Sequence, residues 1–112
     1  MYIYFFKEQG WSNWIVMAKE ENKPYVLLPY SIWFDKDNRQ YIAVKVKNNP
    51  TVDTVIDSND HEEDAEAFKT LKEAKDYLIK RAKIANGKEW KENIELQEYQ
   101  DDLHFSTHQA ID

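Results

Sequence analysis

Three stretches near the N-terminus, residues 2–7, 14–19 and 25–34, carry apolar side chains at consecutive positions rather than at every second one. Successive side chains of a strand point to opposite faces, so a half-buried strand alternates apolar and polar residues. Here Tyr2, Tyr4 and Phe6 share one face while Ile3 and Phe5 share the other. Trp14, Val16 and Ala18 oppose Ile15 and Met17, and Val26, Leu28, Ile32 and Phe34 oppose Leu27 and Trp33. The pattern predicts a sheet covered on both sides. Only one strong helical pattern is present to act as a cover, so the second face calls for the C-terminal segment, a second copy of the chain or a partner.

Turn signals divide these stretches into a meander. Gln9-Gly10 and the run from Glu20 to Pro24 separate the first three, and the polar residues 35–39 lead to a fourth over 41–47. In the fourth, Ile42, Val44 and Val46 face one way and Ala43, Lys45 and Lys47 the other, the pattern of a one-sided edge strand guarded by lysines. Pro29 cannot donate to a ladder and is expected at a bulge or a break in the third strand. Residues 51–57, with Val52, Val55 and Ile56, read as a short fifth strand.

One helix is sharply marked. Thr70-Leu71-Lys72-Glu73 has the form of a capping box, and Leu71, Ala74, Leu78, Ala82 and Ala85 recur at helical spacing up to the Asn86-Gly87 stop. Lys72, Lys75, Ile79 and Lys83 are expected on the outward side, with Ile79 as an apolar contact point among lysines. Past Gly87, Trp90, Ile94 and Leu96 fit a strand face, yet Trp90 and Ile94 are also four apart, so strand and helix both remain open for 88–98. Residues 99–112 read as an acidic, mobile tail. The fold class expected is α+β: an antiparallel meander of four to five strands (1–57), an acidic loop (58–69), one principal helix (70–86) on one face, then the two C-terminal segments, all in a single domain.

Charge changes this picture. The 112 residues carry a net charge of −6, but in blocks: +2 over residues 1–49, −7 over 50–66, +5 over 67–91 and −6 over 92–112. Blocks of one sign create local potentials that the net charge conceals. Either the acidic segments fold back on the basic helix or they meet opposite charge on a partner. There are no cysteines, and no apolar run approaches the roughly 20 residues of a membrane span. The N-terminal apolar run is short for a signal peptide and lacks a basic leader. A cytoplasmic protein without membrane association is the expectation.

Candidate chemistry is sparse. A calcium loop beginning at Asp57 would require glycine at its sixth position and glutamate at its twelfth, where the chain has Glu62 and Phe68. His104 and His108 would share one side of a helix, but without a metalloprotease pattern around them they read as solvated. Two glycines, Gly10 and Gly87, cannot build a phosphate-cradling loop. Neither a cofactor nor a metal is expected, and the chain reads as non-enzymatic.

Two binding roles remain. In the first, the chain contacts another protein or a second copy of itself as a homodimer, with Trp11, Trp14 and Trp33 as apolar contacts. Asp57, Asp60, Glu62, Glu63, Asp64, Glu92, Glu95 and Glu98 would supply acidic ones, and this acidic set could act as an inhibitor occupying the basic nucleic-acid groove of a target. In the alternative, sheet aromatics stack on single-stranded nucleic acid while the helix and the Lys45 and Lys47 strand follow phosphates. The acidic blocks and the scarcity of arginine weigh against that alternative.

Overall fold

A computed structural model describes residues 2–7, 12–47, 50–57, 61, 65–85, 98–99 and 106–111. The chain forms β1 (Tyr2–Lys7), β2 (Asn13–Lys19), β3 (Tyr25–Asp35), β4 (Gln40–Lys45), α1 (Val52–Ile56), β5 (Glu66–Phe68), α2 (Leu71–Ala85), β6 (Glu98–Tyr99) and β7 (Ser106–Ile111). Strands β1 to β5 make an antiparallel sheet on which α2 packs, giving an α+β fold. The full order is β5-β4-β3-β2-β1-β7, with β6 pairing the first residues of β3.

Both faces of the sheet are buried, as the doubled apolar pattern requires. On the helix face, Ile3, Phe5, Trp14, Val16, Leu28, Tyr30 and Ile32 pack with Ala74, Leu78, Ala82 and Ala85 of α2. Alanines at three of these four helix positions let α2 lie close on large sheet side chains. On the other face, Phe6, Ile15, Met17, Leu27 and Val46 form a second core with Val55 of α1. The premise that a single helix leaves one face bare therefore does not hold.

Residues 51–57 are not a strand. Thr51 caps α1: the Thr54 amide donates to its hydroxyl oxygen at 3.1 Å, and the Thr51 amide donates to the Thr54 hydroxyl oxygen at 2.7 Å. This reciprocal pair satisfies amides that a helix start leaves orphaned. Strand propensity of the β-branched residues yields to this cap and to the burial of Val55. The fifth strand is instead β5, which pairs with β4 from Tyr41↔Phe68 to Ala43↔Glu66. Strand β4 is thus no edge, and it is not one-sided either, because Ala43 is buried in the helix-face core.

Pro29 behaves as its chemistry demands. Between Ile15↔Ser31 and Met17↔Leu27 the β2–β3 register shifts, leaving Pro29 within the irregularity, where no ladder amide is needed. Its carbonyl accepts from the Val46 amide at 2.9 Å. The shift spans an even number of residues, so Leu28, Tyr30 and Ile32 keep facing α2. Across the bulge, the buried Ser31 hydroxyl donates to the Trp14 carbonyl at 3.0 Å.

Helix α2 starts where its capping residues direct. The Glu73 amide donates to the Thr70 hydroxyl oxygen at 3.2 Å, and the Thr70 hydroxyl donates to the Glu73 carboxylate at 2.9 Å. The Asn86-Gly87 stop and residues 88–97 lie outside the described residues. Residues 106–111, assigned by sequence to the tail, form β7 and pair with β1 from Tyr2↔Ile111 to Lys7↔Ser106. His108 sits in that strand and not in a helix. His104 lies outside the described residues.

Candidate functional site

The outward side of α2 differs from its expected composition. Lys75 and Ile79 do not point to solvent. Lys75 is partly buried with its ammonium 5.4 Å from the Phe5 ring centre, and Ile79 packs on the helix-face core. Burial holds the Lys75 amine below the usual lysine range. The exposed positions include Lys72, Asp76, Lys80, Lys83 and Ile84. Lys72 and Asp76 form an i,i+4 pair at 2.8 Å, and the hydrogen bond and charge of Asp76 raise the Lys72 pKa above its ordinary value.

On the flank of α2 away from Lys75, a second stripe runs beside the core stripe. Tyr77, Arg81 and Ile84 recur at spacings of four and three, which places them on one side of a helix. Tyr77 meets Phe68 of β5 with ring centres 5.2 Å apart. The Arg81 guanidinium lies 5.6 Å from the ring centre of Tyr30. Tyr30 is paired with Lys45, and Ala43, two residues earlier, faces α2, so strand alternation puts Lys45 on the same side.

These residues border an open groove of about 540 Å³, lined by Tyr77, Lys80, Arg81, Ile84 and Ala85. Ile84 is 72% exposed, against complete burial of Leu78 two turns away on the core stripe. The groove combines an aliphatic wall, an aromatic wall and two cations. Its local charge follows from the helix sequence: both carboxylates of α2, Glu73 and Asp76, precede Tyr77, and the residues after it include Lys80, Arg81 and Lys83. Cations in this half also complement the partial negative charge at a helix C-terminus.

The residues singled out by sequence are scattered by comparison. Trp14 is 7% exposed, under α2, where its ring meets Tyr41 at 5.8 Å. Trp33 is on the opposite face, half-buried, with its ring 4.7 Å from that of His61. Asp57 is exposed just after α1. Glu98 belongs to β6. Trp11, Asp60, Glu62, Glu63, Asp64, Glu92 and Glu95 lie outside the described residues. The structure thus does not gather Trp14, Trp33 and Asp57 into one surface. Tyr77, Arg81 and Ile84 are legible in the sequence only through their helical spacing, which the stronger core stripe beside them masks.

Among the described residues, no three His, Cys, Asp or Glu side chains are grouped to hold a metal ion, and no helix is long and apolar enough to cross a membrane. Comparison with protein-family models, with curated proteins and with solved structures finds no match to this chain.

Proposed function

We propose that this chain is a small non-enzymatic binding protein that acts through protein–protein contact, with the groove beside α2 as the contact surface. The observation that carries this reading is Ile84, 72% exposed in the wall of a concave site framed by Lys80 and Arg81. A single wet aliphatic side chain is common on protein surfaces. Its value here comes from concavity and from Tyr77 in the same stripe, since burying an isoleucine fully is worth about 1.5 to 3 kcal/mol. Polar groups around an apolar centre are also the layout of protein interfaces.

The nucleic-acid alternative draws less support. Stacking requires aromatic faces open to solvent, and Trp14 would have to leave the helix-face core to provide one. A photo-crosslinking amino acid placed at position 84, with position 2 as a control, tests the proposal in cells expressing the chain. Tyr2 is also exposed, at 43%, and lies on β1. Protein adducts formed from position 84 and not from position 2 are expected. Adducts to nucleic acid, or equal yields from both positions, would overturn the reading.

A further inference from the structure

We infer that the groove beside α2 receives an acidic peptide segment bearing aliphatic or aromatic anchor side chains. This rests on the protein-binding reading of the groove and specifies the chemistry of the partner. The first argument is charge complementarity. Lys80 and Arg81 line the groove, Lys83 follows one turn after Lys80, and the β3–β4 register sets Lys45 beside Tyr30, over which Arg81 lies. The cations of the groove itself are therefore Lys80 and Arg81, with Lys45 on the strand beside Tyr30.

Carboxylates of the described residues stand apart from this group. Asp76 is engaged by Lys72, and Glu73 by Thr70, both near the start of α2. Glu66 is the exception on this flank: it is exposed and opposite Ala43, diagonal to Lys45. Among the described residues Glu66 is the one carboxylate placed beside these cations, and the negative end of the helix dipole offsets part of their charge.

The second argument is how Arg81 is held. The Arg81 guanidinium carbon lies 5.6 Å from the Tyr30 ring centre, and a guanidinium can rest on an aromatic ring while N–H groups at its edge recognise a carboxylate. An arginine steadied by an aromatic ring also loses less freedom on binding than a mobile one. Arg81, Lys83 and Lys45 make other contacts within the chain, so an acidic partner exchanges interactions as well as adding them. Affinity should accordingly fall as salt rises.

The third argument separates a peptide from a polyanion. Ile84 and Ala85 offer an aliphatic wall, which favours an apolar side chain over a phosphate. At about 540 Å³ the groove has the size of a small-ligand pocket and suits a few side chains. A nucleic-acid strand would instead track an extended basic channel lined by open aromatic faces.

Fluorescence anisotropy on the full chain tests this directly. The probe is a labelled peptide, Glu-Asp-Glu-Leu-Leu-Glu-Asp-Glu. Its controls are the same peptide with alanine for both leucines, a lysine-rich peptide keeping the leucines, and an oligo-dT strand. The leucine-bearing acidic probe is expected to bind, more weakly at high salt, and its alanine counterpart about tenfold more weakly still. Ile84→Ser and Lys80→Glu, both at exposed positions, should each weaken binding about tenfold while leaving the circular dichroism spectrum and melting temperature unchanged. Equal binding of the alanine probe would remove the anchor, and equal binding of oligo-dT or the lysine peptide would remove acidic-peptide selectivity. Any of these overturns the inference, as does no binding of the acidic probe. Protein crosslinks from position 84 combined with a silent acidic probe would reject the partner chemistry and leave the protein-binding role standing. Failure of both would reject the groove itself.

Discussion

The two faces of this sheet solve one burial problem in different ways. The helix face is sealed by bulk: a fifteen-residue helix presents Ala74, Leu78, Ala82 and Ala85 to a continuous floor from β1 to β4. The second face is covered by a five-residue helix, too short to be stable by itself. Side chains clip it in place. The His61 ring nitrogen Nε2 lies 3.1 Å from the Val55 carbonyl oxygen, and the Asn13 amide donates to the Ile56 carbonyl at 3.4 Å. His61 is anchored in turn by a backbone bridge to Val46 and by the Trp33 ring. Apolar volume gives cooperative stability to the first face, while the second depends on a few directional bonds around a small core. Local opening should therefore begin at α1.

The sharpest way to break this comparison is to remove volume from each face. Leu78→Ala should cost about 3 kcal/mol in urea unfolding, because a fully buried side chain leaves a cavity between α2 and three strands. Protection against hydrogen exchange should fall across the whole sheet. Val55→Ala should cost about 2 kcal/mol, with the largest loss of protection confined to α1. Equal, global losses in both variants would show that the faces are one cooperative unit.

The contrast also explains what could be read in advance. Consecutive apolar residues in β1, β2 and β3 announced burial on both sides, and Thr70 with Glu73 marked the start of α2, because these signals are local. Helix α1 was hidden. Its Thr-x-x-Thr cap lacks the acidic residue of the familiar pattern, and Val55 and Ile56 carry strand propensity. Strand β5 was equally hidden: Glu66, Ala67 and Phe68 have no alternation of their own and become a strand through pairing with β4. For the site, tryptophan type does not by itself mark a surface: Trp14 is buried in the helix-face core and Trp33 is half-buried against His61. The groove needed the third dimension, since Tyr77, Arg81 and Ile84 form its wall only because β5 and Tyr30 stand beside them.

A smaller effect sharpens the comparison at the start of each helix. Thr51→Ala removes the oxygen that accepts from the Thr54 amide, and Thr70→Ala removes the one that accepts from Glu73. Each should cost about 1 kcal/mol locally. The consequences should differ. Losing a cap of five residues weakens a large fraction of α1, so amide exchange at Val55, which donates to the Thr51 carbonyl at 3.0 Å, should accelerate. In α2 the acceleration should stop within the first turn, because Leu78 and Ala82 hold the remainder to the sheet.

The smallest expected effect lies in the β3–β4 turn, which belongs to neither core and serves as a control for both. The Asp35 carboxylate accepts from the Asn38 side-chain amide at 2.9 Å and from the Asp37 and Asn38 backbone amides at 3.1 and 3.4 Å. These bonds, led by the Asn38 side chain, hold its pKa below the ordinary 3.8. A carboxylate depressed in the folded state stabilises it above the ordinary value, and that contribution disappears as pH falls through the lowered folded value. Asp35→Asn should flatten this acid-side dependence, and Asn38→Ala should bring the Asp35 titration, followed by carboxyl carbon NMR, back toward 3.8. Because the turn joins strands shared by both faces, acid should loosen α1 and α2 contacts in the same proportion through this group. A loss of protection at α1 alone would show that Asp35 is not behind the change.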